Sequence, residues 1–166
     1  PYGSQVSVVD GFPMPTHGVK RAGRSKLFKG VAAYGHCAAK DLSYYGFRGH
    51  LLIDQSGVIL DLVVAAANAD ERAILPELSP RMGPDLLGDK GYILKETAKA
   101  EMVGLGVTVH TPLRSNMKDN RPKEFVRIIN RKRRIIETVI GQLSDRLNIE
   151  KVRARDLWHL TVRTSR

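Results

Sequence analysis

The chain has 166 residues, 42% of them hydrophobic and 27% charged, which is enough for one domain with a buried core and too apolar for a disordered chain. Its net charge of +10 points to a polyanionic partner, nucleic acid before an acidic membrane surface, with ordinary solubility charge as the plain alternative. The single cysteine, Cys37, excludes an intrachain disulfide and a thiolate metal cage, and it fits a reducing cytoplasm.

The chain opens at Pro1 with no signal peptide and reads as a fragment of a longer protein. Residues 5–10 alternate and are β-branched, a strand ending at Asp10. Gly11-Phe12-Pro13-Met14-Pro15 is then expected to stop it. Residues 16–41 show little periodicity and read as a loop. They carry Lys20, Arg21, Arg24, Lys26 and Lys29, with Phe28 and Tyr34 interleaved. That mixture suits a surface tracking a nucleic-acid backbone, a solvated loop being the alternative. Residues 44–54 and 58–67 form two strands around the turn Gln55-Ser56-Gly57. The second is apolar enough for burial on both faces. Broken by Asp61, it is too short to cross a membrane, so no membrane partner is expected. Three strands joined by turns make an antiparallel meander.

Residues 68–71 supply caps for a short helix over 71–78, stopped by Pro80. Glu71 is an acid favoured at a helix N-terminus, a position near a metal being the alternative. An apolar run then ends in Gly88-Asp89-Lys90-Gly91-Tyr92, an acid between two glycines. A helix over 94–105 shows Leu94, Ala98, Met102 and Leu105 on one face, and Gly104 or Gly106 ends it. A strand over 107–113 and a basic linker over 115–123 follow. In the long helix over 123–148, Phe125, Ile128, Ile129, Ile136, Val139, Ile140, Leu143 and Leu147 recur at three and four residues, interrupted by Lys132. A last helix is expected over 156–163, with Trp158 in the core or at a subunit contact, base stacking being a further alternative. Charge concentrates in residues 121–134 and 151–166.

Asp10 ends the first strand and Asp89 the fourth. Glu137 follows Ile136 at the edge of the apolar stripe, where it is expected to face the sheet. Three carboxylates without cysteine make an all-oxygen site that suits Mg²⁺ or Mn²⁺. Two such ions about 3.5–4 Å apart support an in-line phosphoryl displacement. A polar turn after a strand is the plain alternative for Asp89. Gly141, one turn beyond Glu137, costs the helix about 1 kcal/mol against alanine. Close approach of another group would explain it. Arg133 and Arg134 suit phosphates or a solvated face. His50 and His110 read as structural or surface residues, and Cys37 beside His36 reads as a small loop residue rather than a reactive thiol.

Four strings occur in order: Val8-Val9-Asp10-Gly11-Phe12-Pro13, Tyr45-Gly46-Phe47-Arg48-Gly49-His50-Leu51, Leu87-Gly88-Asp89-Lys90-Gly91-Tyr92, and Arg133-Arg134-Ile135-Ile136-Glu137-Thr138-Val139-Ile140-Gly141-Gln142-Leu143. Together with Arg153-Ala154-Arg155-Asp156, they resemble a bacterial insertion-sequence transposase of the DDE type over residues 6–160. The resemblance implies an α/β, ribonuclease H-like fold with a mixed five-stranded sheet flanked by helices. It implies a single catalytic domain over residues 1–166, lacking an N-terminal DNA-binding region and the extreme C-terminus. It implies that Asp10, Asp89 and Glu137 are catalytic and bind two Mg²⁺ or Mn²⁺ ions. The residues expected to contact DNA are Lys20, Arg21, Arg24, Lys26, Lys90, Arg127, Arg131, Arg133 and Arg134. The implied reaction is cleavage at the element's ends by water, then attack of the freed 3′-hydroxyl on target DNA, by a homodimer assembled on DNA in the cytoplasm. Asn130 and Ser144 stand where many relatives carry tyrosine and lysine, and Arg146 lies nearby. Two alternatives stay open: a non-catalytic DNA-binding remnant of a truncated transposase, and a nonspecific ribonuclease H-like nuclease.

Overall fold

A computed structural model describes residues 5–165, so Arg166 of the C-terminal basic run lies outside the described residues. The strands are β1 (Val6–Gly18), β2 (Ala33–Cys37), β3 (Leu42–Asp54), β4 (Ile59–Ala66), β5 (Asp85–Leu87) and β6 (Thr108–His110). The helices are α1 (Val19–Ala22), α2 (Leu75–Leu78), α3 (Glu96–Gly104), α4 (Lys123–Leu147) and α5 (Leu157–Thr164). The six strands form one mixed sheet with hydrogen-bonded order β2-β3-β1-β5-β6, and β4 also pairs with β3. The expected five strands are therefore joined by a sixth. It is β2, which lies inside the stretch expected to be a loop and pairs antiparallel with the start of β3.

The chain divides into two compact units. The first holds the chain up to Asp10, Leu51–Val63 and Asp70–Ile140. Here β1 runs parallel to β5, and β5 parallel to β6. Parallel strands are covered on both faces, and Val8, Val9, Leu86 and Leu87 are accordingly buried. Leu94 and Met102 bury the apolar face around α3. Leu105, expected on that face, is 54% exposed, because the helix has ended and the chain turns at Gly106 with φ +78. Helix α4 buries Ile129 and Ile136 fully. Its Ile135 and Val139 lie against Gly57, whose φ of +89 suits glycine in the turn between β3 and β4. Lys132 Nζ donates to Gln55 Oε1 in the same turn at 3.3 Å, which accounts for the lysine that interrupts the stripe. Ile128 lies on the exposed side, so the stripe is narrower than its spacing implied.

The second unit holds Gly11–His50, Val64–Ala69 and the chain from Gly141 onward. Strand β1 does not stop at the prolines. Pro13 and Pro15 are two residues apart, so both missing N–H groups fall on the same side of the strand. Pairing with β5 ends at Val8, which frees one side of β1 beyond it, and proline is tolerated where no ladder donor is needed. The two strands β1 and β3 approach closely. A Cβ at Gly46 would overlap the Met14 carbonyl and stand 2.8 Å from Thr16 N. A Cβ at Gly49 would press into the Phe12 ring, 2.8 Å from its Cε1. Thr16 Oγ1 donates to the Tyr45 carbonyl at 2.8 Å.

Phe28, expected beside the basic residues as a stacking group, is instead buried against Phe47, edge-on at 5.1 Å between ring centroids. Tyr34 is exposed. Helix α5 buries Leu160, whereas Trp158 is 72% exposed and so is no core residue. Leu147, the last of the expected stripe, is exposed as well. Strand β4 spans both units and pairs with β3 alone. At such an edge its residues are half-buried or exposed rather than covered on both faces.

Candidate functional site

The site grows from the parallel pairing of β1 and β5. Val6 faces Asp85, Ser7 faces Leu86 and Val8 faces Leu87. Two residues beyond the last pair, on each strand, stands an aspartate: Asp10 and Asp89. Adjacent strands lie about 4.8 Å apart, and each acid follows the last pair, Val8 with Leu87, by two residues. Both are half-buried. Ser7 Oγ accepts from Gly83 N at 2.8 Å, which ties the loop before β5 to β1 below the acids.

Asp89 stands in a polar turn just after β5. It caps the 3-10 turn Lys90–Tyr92, and its Oδ1 accepts from Gly91 N at 2.7 Å. Gly88 N donates to the His110 carbonyl at 3.0 Å, extending the ladder to β6. A Cβ at Gly88 would stand 2.9 Å from the Cβ of the buried Tyr92, so the turn closes on itself. At Gly91 a Cβ would coincide with Glu71 Oε2 and lie 3.0 Å from Asp89 Oδ1. Two carboxylates thus border one glycine. Spacing did not reveal this contact, because Glu71 and Gly91 are distant in sequence.

His110 and Asp85 flank this region. Their side chains meet at 2.8 Å between Nε2 and Oδ1, and the His110 ring packs edge-on to Phe125 of α4. Arg121 reaches the Thr111 carbonyl at 3.0 Å and sits 6.0 Å from the Phe125 ring centroid. Its bidentate contact with Asp119 holds that carboxyl down at about pKa 2. These contacts join β6, the linker and the start of α4.

Glu137 is exposed. It lies midway between Ile135 and Val139, the residues that meet Gly57, and so falls on the opposite side of the helix. Expected to face the sheet, it is exposed to solvent. Among the described residues no three His, Cys, Asp or Glu side chains form a group able to hold a metal ion. Asp10 and Asp89 still offer what a hard divalent cation takes, carboxylate oxygens, each two residues beyond the last β1–β5 pair.

Of the basic residues, Lys90, Arg127, Arg131 and Arg134 are exposed in the first unit. Arg127 shares a surface contact with Glu124 at 3.1 Å. Arg133 is half-buried, and its Nε is enclosed without a hydrogen-bond partner among the described residues. Lys20, Arg21, Arg24 and Lys26 are exposed in the second unit. His50 is fully buried, and burial, with a smaller contribution from Arg48, lowers its pKa to about 4. It is a neutral core group rather than an acid–base catalyst. Cys37 is a half-buried free thiol. No described helix is long and apolar enough to cross a membrane.

The family model described as the transposase DDE domain matches residues 3–157. No curated protein matches the chain.

Proposed function

The chain belongs to the transposase DDE domain family, and from that membership we propose that it cleaves DNA at transposon ends and joins the freed 3′-hydroxyl to target DNA. The observation that supports this reading is the register of β1 and β5, whose last pair, Val8 with Leu87, stands two residues before Asp10 and Asp89. A ribonuclease H-like sheet is part of the proposal. Its support is the strand order, with β1 central, β5 and β6 parallel to it on one side, and β3 with β4 on the other.

In this reading Asp10 and Asp89 hold Mg²⁺ or Mn²⁺, with Glu137 as the third carboxylate on the strength of its place in the family string. The ions, once bound, stabilise charge on the attacking and leaving oxygens. In the first step a water oxygen bonds to phosphorus, the bond from phosphorus to the 3′-oxygen breaks, and the proton passes to solvent while the 3′-oxygen is protonated. In the second step the oxygen of that hydroxyl bonds to a target phosphorus and its proton passes to solvent, while the bond from that phosphorus to the target's own 3′-oxygen breaks and the 3′-oxygen is protonated. Arg133 is proposed to hold a phosphate; its Nε is enclosed without a hydrogen-bond partner among the described residues. Lys90, Arg127, Arg131 and Arg134, and Lys20, Arg21, Arg24 and Lys26, supply sequence-independent attraction to the DNA backbone. A homodimer on DNA is the expected working assembly.

A second reading, DNA binding without cleavage, is favoured by the exposure of Glu137 and by the lack, among the described residues, of a three-residue group able to hold a metal ion. Both predict binding that weakens steeply with salt. They separate on Mg²⁺-dependent nicking and joining of transposon-end DNA, which only the first predicts and which Asp89→Asn must remove.

A further inference from the structure

Gly91 owes its identity to a neighbour rather than to its backbone. Its φ lies outside the left-handed region, so no conformational demand excludes a side chain. What excludes one is Glu71, whose Oε2 occupies the place a Cβ would take. Glu71 is half-buried and its backbone is fixed as the first residue of the 3-10 turn Glu71–Ile74. That turn is capped by Asp70, which accepts from Arg72 N at 2.9 Å and Arg72 Nε at 2.7 Å. On the other side, Gly91 N holds Asp89 Oδ1 at 2.7 Å. Any shift of Gly91 therefore moves the Asp89 carboxylate, and Glu71 is the group that stops Gly91 from shifting.

We propose that Glu71 is a positioning residue for Asp89: its carboxylate fills the space beside Gly91 and fixes the turn that presents Asp89. The proposal rests on the reading of Asp89 as a metal-binding carboxylate. It adds a residue that acts through the turn and requires no direct contact with DNA. Two carboxylates at one glycine repel each other in the absence of a cation.

The test uses the full chain, with Mn²⁺ as the probe and two readouts. Calorimetric titration gives the Mn²⁺ affinity, and hydrogen exchange of the residue 91 amide reads its bond to Asp89 independently of metal. Glu71→Ala and Gly91→Ala are each expected to weaken Mn²⁺ binding about tenfold. Each is also expected to speed exchange at residue 91. Glu71→Gln keeps the bulk and is expected to retain slow exchange. In the double variant Glu71→Ala/Gly91→Ala the added methyl enters the vacated space, so the two losses combine to less than their sum. Unchanged exchange in Glu71→Ala overturns the proposal, as do fully additive losses. Should Gly91→Ala fail to fold, exchange in Glu71→Ala alone decides. A wild-type chain that takes up no Mn²⁺ overturns the metal reading of Asp89, while the exchange rates still decide the positioning role.

Discussion

Val8 and Leu87 are direct partners in the parallel pairing of β1 with β5, and each is followed two residues later by an aspartate. On the proposed reading Asp10 and Asp89 form one functional pair, so the two acids are expected to fail together. Asp10→Asn and Asp89→Asn are each predicted to lower Mn²⁺ affinity by roughly tenfold or more, with little further loss in the double variant. Titration of the three proteins checks this. Independent, additive losses would mean that the acids serve separate sites.

The close approach of β1 to β3 predicts a large effect from a small change. At Gly46 the neighbours are backbone atoms of Met14 and Thr16, which have little freedom to move. Gly46→Ala is therefore expected to destabilise the fold by about 1–3 kcal/mol, or more if the strands must separate. At Gly49 the obstacle is the Phe12 ring, which has room to turn only by leaving its place in the core. Gly49→Ala is expected to behave similarly, and Phe12→Leu to recover part of the loss. Urea denaturation of the single and double variants measures both effects.

His50 makes stability depend on pH in a defined window. Burial, then Arg48, lowers its pKa from 6.5 to about 4. Between those values the unfolded chain binds a proton that the folded chain refuses, so stability falls as pH drops through the window. The full loss is on the order of 3 kcal/mol. The depressed carboxyls Asp70, Asp119 and Asp156 lose their contributions lower, as pH falls from about 4 downward. Denaturation at pH 7 and pH 4.5 is expected to differ strongly in the wild type and less in His50→Gln. Equal pH dependence of the two proteins would contradict the burial argument.

Much of this was legible in the sequence because local pattern and tertiary role agree. The three-and-four spacing of Ile129 and Ile136 gives α4, and Val8-Val9 and Leu86-Leu87 give two covered strands. Asp10 and Asp89 were legible because both follow apolar runs. What stayed hidden depends on neighbours. Pro13 and Pro15 look like breakers until the pairing of β1 with β5 is known to end at Val8, which removes the need for their N–H groups. Strand β2 has weak periodicity and exists because β3 offers it an edge. Glu137 sits next to the stripe in sequence, yet the side of α4 that meets Gly57 is set by Ile135 and Val139, leaving Glu137 exposed.

Gly141 separates packing from function. It lies inside α4, and a Cβ there would meet nothing within 4 Å among the described residues. Gly141→Ala is expected to stabilise the fold by about 0.5–1 kcal/mol, the ordinary gain for this exchange within a helix. A melting curve tests it. Destabilisation would show that the helix surface at this position is already occupied.

The most direct test of the account is Mg²⁺-dependent cleavage and joining of transposon-end DNA by the wild-type chain, Asp89→Asn and Glu137→Gln, with DNA binding followed in the same samples. Cleavage by the wild type, a fall of roughly a hundredfold or more in both variants, and DNA binding retained in all three are the predicted results. Cleavage that persists unchanged in Asp89→Asn would contradict the assignment of the β1–β5 edge as the active site.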